Sequence, residues 1–117
     1  MDTLKLTYAD IGKSMEEVEN FLQSSKADSK DIMRTTLAAE EILLTYMDAF
    51  GEDALFTISC TKRFGNLQVE LKIISESLDP FAKEGEEDLS FVHNLLANAR
   101  FEPTWVYKKG ANRILFY

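Results

Sequence analysis

The sequence of 117 residues contains one cysteine, one histidine, two prolines and no long apolar run. The single cysteine, Cys60, excludes an internal disulfide and a cysteine-based metal cluster, and its strand-like surroundings favour a buried, inert thiol. Lysine and arginine number 13 against 20 aspartate and glutamate residues, so no basic excess is present to bind nucleic-acid phosphate. No apolar segment reaches the roughly 18 residues that a membrane-spanning helix needs. These absences predict a soluble, cytoplasmic protein that does not bind nucleic acid or insert directly into a membrane.

The composition is that of one globular domain. Apolar residues make up 45% of the chain and charged residues 28%, which is ordinary for a soluble fold. A chain of this length buries roughly two-thirds of its unfolded surface in a single core. We therefore expect one domain over residues 1–117. The last residues still have the pattern of a strand, as expected of a domain excised from a longer protein.

The segment from Asp28 to Gly51 has the pattern of one long helix. Apolar side chains recur at helical spacing and predict a buried stripe: Met33, Leu37, Leu44 and Met47. Asp28 suits the N-terminus of this helix, where a carboxylate meets free backbone N–H groups, and Gly51 suits its C-terminal end.

A second line on the same helix is mostly polar and runs beside the apolar stripe. Its members are again three or four residues apart: Arg34, Ala38, Glu41, Thr45 and Asp48. A polar line at the edge of a buried face is where a ligand pocket could open. The alternative is a core helix with a solvated flank, in which Glu41 pairs with Arg34 or Lys26.

In the rest of the chain, segments with the helical spacing of three or four residues alternate with segments in which every second residue is apolar, as in a strand. A strand is predicted over Thr3–Tyr8, and Ser14 with Glu17 forms a capping box for a helix that ends near Ser25. Further segments follow in chain order: a hairpin whose loop is Lys62–Asn66, a helix over Asp88–Ala99, and a final hairpin of Thr104–Lys108 with Asn112–Tyr117. Grouped helices and paired strands predict an α/β (α+β) two-layer sandwich, with a mostly antiparallel mixed sheet and three helices on one face.

This element order, with LAAEEILLTY at residues 37–46, resembles the GHKL (Bergerat-fold) family of histidine-kinase-like ATPases, and within it the small anti-sigma-factor serine kinases. In that family the helix motif carries a catalytic glutamate, and a magnesium-binding asparagine follows four residues later. The resemblance implies that Glu41 stands at the position of the glutamate. It also implies an Asp-x-Gly-x-Gly box after the first hairpin, often continued as Phe-Asp-Pro, which contacts adenine and phosphates.

The sequence departs from the family pattern at the positions that hold the nucleotide. Thr45 stands where the asparagine is expected. When Asp79 and Pro80 are matched to the end of the second box, Ile73 takes the place of the adenine-binding aspartate, and Ser75 and Ser77 take the places of the glycines. Isoleucine offers no hydrogen-bond acceptor, and a Cβ hinders the close approach that glycine allows. The lid is reduced to residues 82–85 and an acidic run. The resemblance therefore implies a degenerate domain.

Two functions follow from these observations. The first is a non-catalytic regulatory or interaction domain without a cofactor, which binds a partner protein, a neighbouring domain of the same chain or a second copy of itself. By resemblance, such a domain could be the cytoplasmic N-terminal domain of a sodium/dicarboxylate symporter-type membrane transporter. The second is an atypical serine kinase that binds ATP and Mg²⁺, with Glu41 as base and Arg34, Thr45, Asp48 and Asp79 lining the site.

A few single residues complete the set of candidates. His93 has no second metal ligand or nucleophile at a suitable spacing, so a partly exposed helix histidine is expected. Phe64 at a hairpin tip is a candidate for a docking surface, whereas Trp105 fits the core better.

Overall fold

In the computed structural model, which describes residues 3–81, 92 and 94–117, two long helices pack against one sheet. The elements in chain order are β1 (Leu4–Lys5), α1 (Tyr8–Ser24), α2 (Ser29–Phe50), a 3₁₀ turn (Gly51–Asp53), β2 (Leu55–Arg63), β3 (Asn66–Ile74), β4 (Thr104–Lys108) and β5 (Ala111–Phe116). Residues 92 and 94–96 are also helical. The predicted lid, residues 88–91 of the predicted helix over Asp88–Ala99, and His93 lie outside the described residues.

The sheet has five strands in the order β1-β2-β3-β5-β4, and all of the described pairs are antiparallel. The register sets Ile73 opposite Phe56 on one side and opposite Asn112 on the other, so these three side chains share a face. That face is buried under the helices, whereas the opposite face carries Lys72 and Arg113 among its polar residues. The predicted α+β two-layer sandwich is confirmed.

One apolar core joins the helices to the covered face of the sheet. Its fully buried members come from each layer: Val18, Leu22, Ile42, Leu43, Tyr46, Phe56, Val69, Leu71, Ile73, Ile114 and Phe116. Burial of each large apolar side chain contributes roughly 1.5–3 kcal/mol. This shared core fixes the position of α2 relative to the sheet. It thereby positions the candidate site residues on that helix.

Both predicted ends of α2 are confirmed. The Asp28 carboxylate accepts a hydrogen bond from the backbone N–H of Lys30 at 2.8 Å. Gly51 ends the helix with φ of +73°, a conformation that favours glycine.

The predicted buried stripe of α2 is only half right. Leu44 and Met47 pack against the core, but Met33 is 65% exposed and Leu37 is 38% exposed. The buried face is rotated toward Ala38, Ala39 and Ile42, which are each 0% exposed. Periodicity alone placed the centre of the buried face of α2 wrongly, because Met33 and Leu37 have the same helical spacing relative to Leu44 as buried residues would have.

The first helix begins earlier than predicted, and the Thr3–Tyr8 strand is correspondingly shorter. Thr7 is the N-cap, and its hydroxyl accepts a hydrogen bond from the Asp10 backbone N–H at 3.2 Å. Ser14, predicted to be the cap, lies inside the helix and is buried. The Thr7 cap prevails because it lets the helix bury Ile11 as well as the later apolar residues.

Both hairpins turn more tightly than predicted. Phe64 and Gly65 form a two-residue turn between the paired residues Arg63 and Asn66, with φ of +51° and +83°. Lys109 and Gly110 form the second such turn in the same conformation. Positive φ at both positions matches the right-handed twist of the strands, which is why turns of this type close two-residue hairpins.

Candidate functional site

The polar line on α2 does not form one pocket. Glu41 is half-buried, Asp48 is exposed, and the Thr45 hydroxyl donates to the backbone carbonyl of Glu41 at 2.8 Å. Such a bond to the preceding turn is common for a helical threonine and occupies its O–H group. The side chains that the resemblance assigns to catalysis and to magnesium are thus adjacent on the helix, with the Thr45 O–H group bonded within that helix.

Arg34 lies at the other end of the helix. It is separated from Thr45 by eleven positions, which at the helical rise is about 16 Å along the axis. Its guanidinium binds Asp31, with Nη1 and Oδ1 2.5 Å apart, and lies over the Tyr117 ring with Cζ 5.9 Å from the ring centroid. The structure therefore separates Arg34 from Thr45 and Asp48.

Asp79 follows the loop that leaves β3. Its Oδ1 accepts a hydrogen bond from the Phe81 backbone N–H at 2.9 Å, which forms a local turn. Asp79 also lies near enough to Tyr46 for its charge to affect the phenol. This aspartate thus supports a turn beside α2.

Asn112 is the centre of the polar network at this end of the sheet and is fully buried. Its Oδ1 accepts from the Leu78 backbone N–H and from the Trp105 indole N–H, each at 3.0 Å. Its Nδ2 lies 3.0 Å from Ser75 Oγ and from the Glu76 carbonyl oxygen. One amide thereby fixes the path of the loop over residues 75–78.

Tyr46 closes the same loop from the helix side. Its hydroxyl donates to the Leu78 carbonyl oxygen, and its ring is fully buried and stacks on Phe50 with centroids 6.3 Å apart. Burial raises the pKa of the phenol well above its ordinary value, and the Asp79 charge raises it further, although the Trp105 indole acts in the opposite direction. Tyr46 is therefore a neutral hydrogen-bond donor at neutral pH.

The position that resembles the adenine-binding aspartate is part of the core. Ile73 is fully buried between Phe56 and Asn112 in the register of the sheet. Ser75 donates to the Glu76 carbonyl at 2.9 Å, and Tyr107 donates to the Ser75 carbonyl at 3.0 Å. The segment that the sequence resemblance matches to a nucleotide-binding box thus holds an apolar side chain and a hydrogen-bonded loop.

A second cluster, which sequence reasoning missed, lies at the N-terminal end of α2. Asp31 is 6% exposed and accepts hydrogen bonds from two arginines: Arg34 and, from Arg100, both Nε at 3.0 Å and Nη2 at 2.6 Å. Burial acts to raise the pKa of Asp31, but the two guanidinium groups outweigh it, and the pKa is lowered. The Arg100 backbone N–H also donates to the Tyr117 carbonyl at 2.7 Å.

The sequence held one signal for this cluster. Asp31 and Arg34 are three residues apart on a helix, a spacing at which opposite charges meet. Arg100 is 69 residues further along the chain than Asp31, so no local pattern connects it with the helix.

Two further findings concern metals and membranes. No group of three or more His, Cys, Asp or Glu side chains within residues 3–81, 92 and 94–117 is placed to hold a metal ion. The same described residues include no helix that is both long and apolar enough to span a bilayer.

Comparison with known proteins gives no family assignment. No protein-family model matches the sequence, and no curated protein matches it either.

Proposed function

We propose that this chain is a non-catalytic regulatory or interaction domain on a Bergerat-type scaffold that does not bind ATP. The observation that carries the proposal is the closure of the loop over residues 75–78 by Tyr46 and Asn112. In the resembling family, the nucleotide would lie between the glutamate helix and this loop. The hydrogen bonds that Tyr46 and Asn112 make with this loop support a site without a nucleotide.

A nucleotide would have to break this network in order to enter. Displacement of the loop removes the Asn112 contacts to Leu78 and Glu76, and it leaves part of the fully buried Asn112 amide without a partner. A buried polar group without a partner costs about 1–3 kcal/mol. Adenine would gain little in exchange, because Ile73 has no acceptor for its amino group.

Exposed apolar side chains support the interaction role. Met33 and Leu37 form an open groove between α1 and α2 with the half-buried Ile32, and Glu19 and Gln23 lie at its rim. Adjacent exposed apolar residues with a polar rim are typical of protein-binding surfaces. We propose that a neighbouring domain of the same polypeptide or a second copy of this chain covers this groove. The placement of the domain in a symporter-type membrane transporter is a further proposal, which rests on the sequence resemblance.

A thermal melt with and without Mg·ATP, followed by calorimetric titration, tests the absence of nucleotide binding. We expect no shift in Tm, because the loop stays closed. A ligand at about 100 times its Kd would add roughly 2.7 kcal/mol to stability and raise Tm by several degrees. A rise of that size that disappears in Glu41→Gln but persists in Glu40→Gln would overturn the proposal and support the serine kinase alternative.

Sedimentation over a wide range of concentration tests the groove as a self-association surface. Self-association that weakens in Met33→Gln, but not in Ala49→Gln on an exposed position near the other end of α2, is expected if a second copy covers the groove. A protein that remains monomeric at all concentrations would exclude the second copy and leave the neighbouring domain as the partner.

A further inference from the structure

An open cavity of about 610 Å³ adjoins the Asp31 cluster and has a charge opposite to that of the whole chain. We name it the arginine cavity, and its described lining includes Lys30, Asp31, Arg34, Asn94, Asn98 and Arg100. It is distinct from the loop that Tyr46 and Asn112 close. The inference below therefore does not depend on the proposed function.

The charges of the lining do not cancel. Among the described residues that line it, Lys30, Arg34 and Arg100 carry three positive charges and Asp31 carries one negative charge, which leaves two positive charges. The chain as a whole has a net charge of −7. A local positive excess in an acidic protein attracts anions to this position.

The arginines keep donors that Asp31 does not use. Arg34 Nε and Nη2 are buried and have no hydrogen-bond partner in the described part of the chain, although the side chain is only 12% exposed. A buried cationic donor without an acceptor is costly. Arg100 has a side chain that is 62% exposed, so its outer edge is accessible to solvent.

The neighbouring groups suit an oxyanion. Arginine binds phosphate and carboxylate oxygens through paired N–H groups in a fixed plane. Two guanidinium groups meet at one Asp31, so they are held close together before any ligand arrives. The side-chain amides of Asn94 and Asn98 line the same cavity and are exposed, and they can donate further hydrogen bonds.

We propose that the arginine cavity binds a small dianionic oxyanion of the phosphate class. Lys30 and the outer edge of Arg100 make the first contacts with it. Arg34 then turns its two unpaired donors toward the ligand while Asp31 keeps its bond to Arg100. Two negative charges on the ligand match the two positive charges that the cavity leaves uncompensated.

Calorimetric titration with inorganic phosphate and with sulfate tests this proposal at constant ionic strength. We expect saturable binding of both ions and no comparable binding of acetate, a monovalent oxyanion. Arg100→Gln should weaken binding by on the order of tenfold or more, the effect of losing a charge-assisted hydrogen bond. Lys30→Gln, an exposed substitution in the first turn of α2, should also weaken it without affecting the Asp31 ion pairs.

The matched control is Arg63→Gln, which removes an exposed arginine from the end of β2. It should leave phosphate binding unchanged. Absence of saturable binding, equal loss in Arg63→Gln and Arg100→Gln, or equal binding of acetate would each overturn the proposal. Glycerol phosphate in place of inorganic phosphate distinguishes the sources, because binding at least as tight as that of the free ion points to a phosphate monoester.

The same variants separate this proposal from the proposed function. A Tm shift with Mg·ATP that persists in Glu41→Gln and disappears in Arg100→Gln would come from triphosphate binding in the arginine cavity. That result would support the anion site, and it would assign the shift to ATP bound away from the loop over residues 75–78.

Discussion

Replacement of Asn112 by leucine is the most direct test of the closed loop. Leucine has nearly the same size but can form none of the hydrogen bonds of the amide. The substitution removes the acceptor of the Leu78 backbone N–H and of the Trp105 indole, and it removes the donor to Ser75 and Glu76. Asn112 is fully buried, so water cannot replace these bonds without opening the structure.

The size of the destabilisation by Asn112→Leu depends on which of the former hydrogen-bond partners become hydrated. Glu76 is exposed and Ser75 is half-buried, so their oxygens can be rehydrated at little cost. The Leu78 N–H and the Trp105 indole lie in partly buried surroundings, and each unpaired donor costs about 1–3 kcal/mol. Leucine regains part of this through apolar contact with Ile73 and Ile114. We expect a net loss of roughly 2–4 kcal/mol in the free energy of unfolding.

Urea unfolding followed by circular dichroism measures this loss, and Trp105 fluorescence reports on the same site. Asn66→Leu is the matched control because Asn66 is an exposed strand residue, and it should change stability by less than about 0.5 kcal/mol. A loss below about 1 kcal/mol for Asn112→Leu, or a loss equal to that of the control, would show that Asn112 does not hold the loop.

Three further predictions concern other parts of the chain. Phe64→Asn should stabilise the protein by up to about 1 kcal/mol, because asparagine tolerates positive φ better and the fully exposed ring loses no contacts. The contribution of Asp31 to stability should be complete above its ordinary pKa of 3.8 and decline as pH falls through its lower folded pKa, whereas Asp31→Asn should abolish this component of the pH dependence. Cys60 should react with an alkylating reagent at pH 8 about a hundredfold more slowly than an unperturbed thiol, because burial, aided by Glu17, raises its pKa to about 11.

Each of these predictions has its own control. Lys109→Asn, at the equivalent position of the second turn, should stabilise the protein as Phe64→Asn does. Destabilisation by Phe64→Asn would contradict the prediction, because it would mean that the Phe64 ring makes stabilising contacts. Unfolding measured across the acid range checks the Asp31 prediction, and an unchanged pH profile in Asp31→Asn would refute the role of the ion pairs. Cys60 should react at the ordinary thiol rate in urea, and equal rates with and without urea would contradict its burial.

Local chemistry explains which parts of the fold could be predicted. Asp28 and Gly51 were predicted as the ends of α2 because each acts on backbone groups within a few residues. The hairpins were predicted from period-2 alternation, but their loops were too long in the prediction because Phe64 and Lys109 are unusual residues at positive φ. The rotation of α2 was wrong because the face that a helix buries, here the one with Ala38, depends on residues outside the helix.

The candidate site could be predicted only in part. Sequence grouped Arg34 with Glu41, Thr45, Asp48 and Asp79, although Arg34 binds Asp31 at the far end of the helix. It gave no indication that Asn112 would organise the loop that follows β3. Contacts between residues more than thirty positions apart follow from the sheet order and not from any local pattern.

The sequence by itself therefore determined the fold class and the capped ends of α2, since periodicity and capping are properties of short segments. Only the tertiary structure decided that Tyr46 and Asn112 close the loop over residues 75–78 and that Arg100 joins Arg34 at Asp31. The physical reason is that a buried polar group takes its partner from whichever segment the core packing brings within about 3 Å, and that packing is a property of the whole chain.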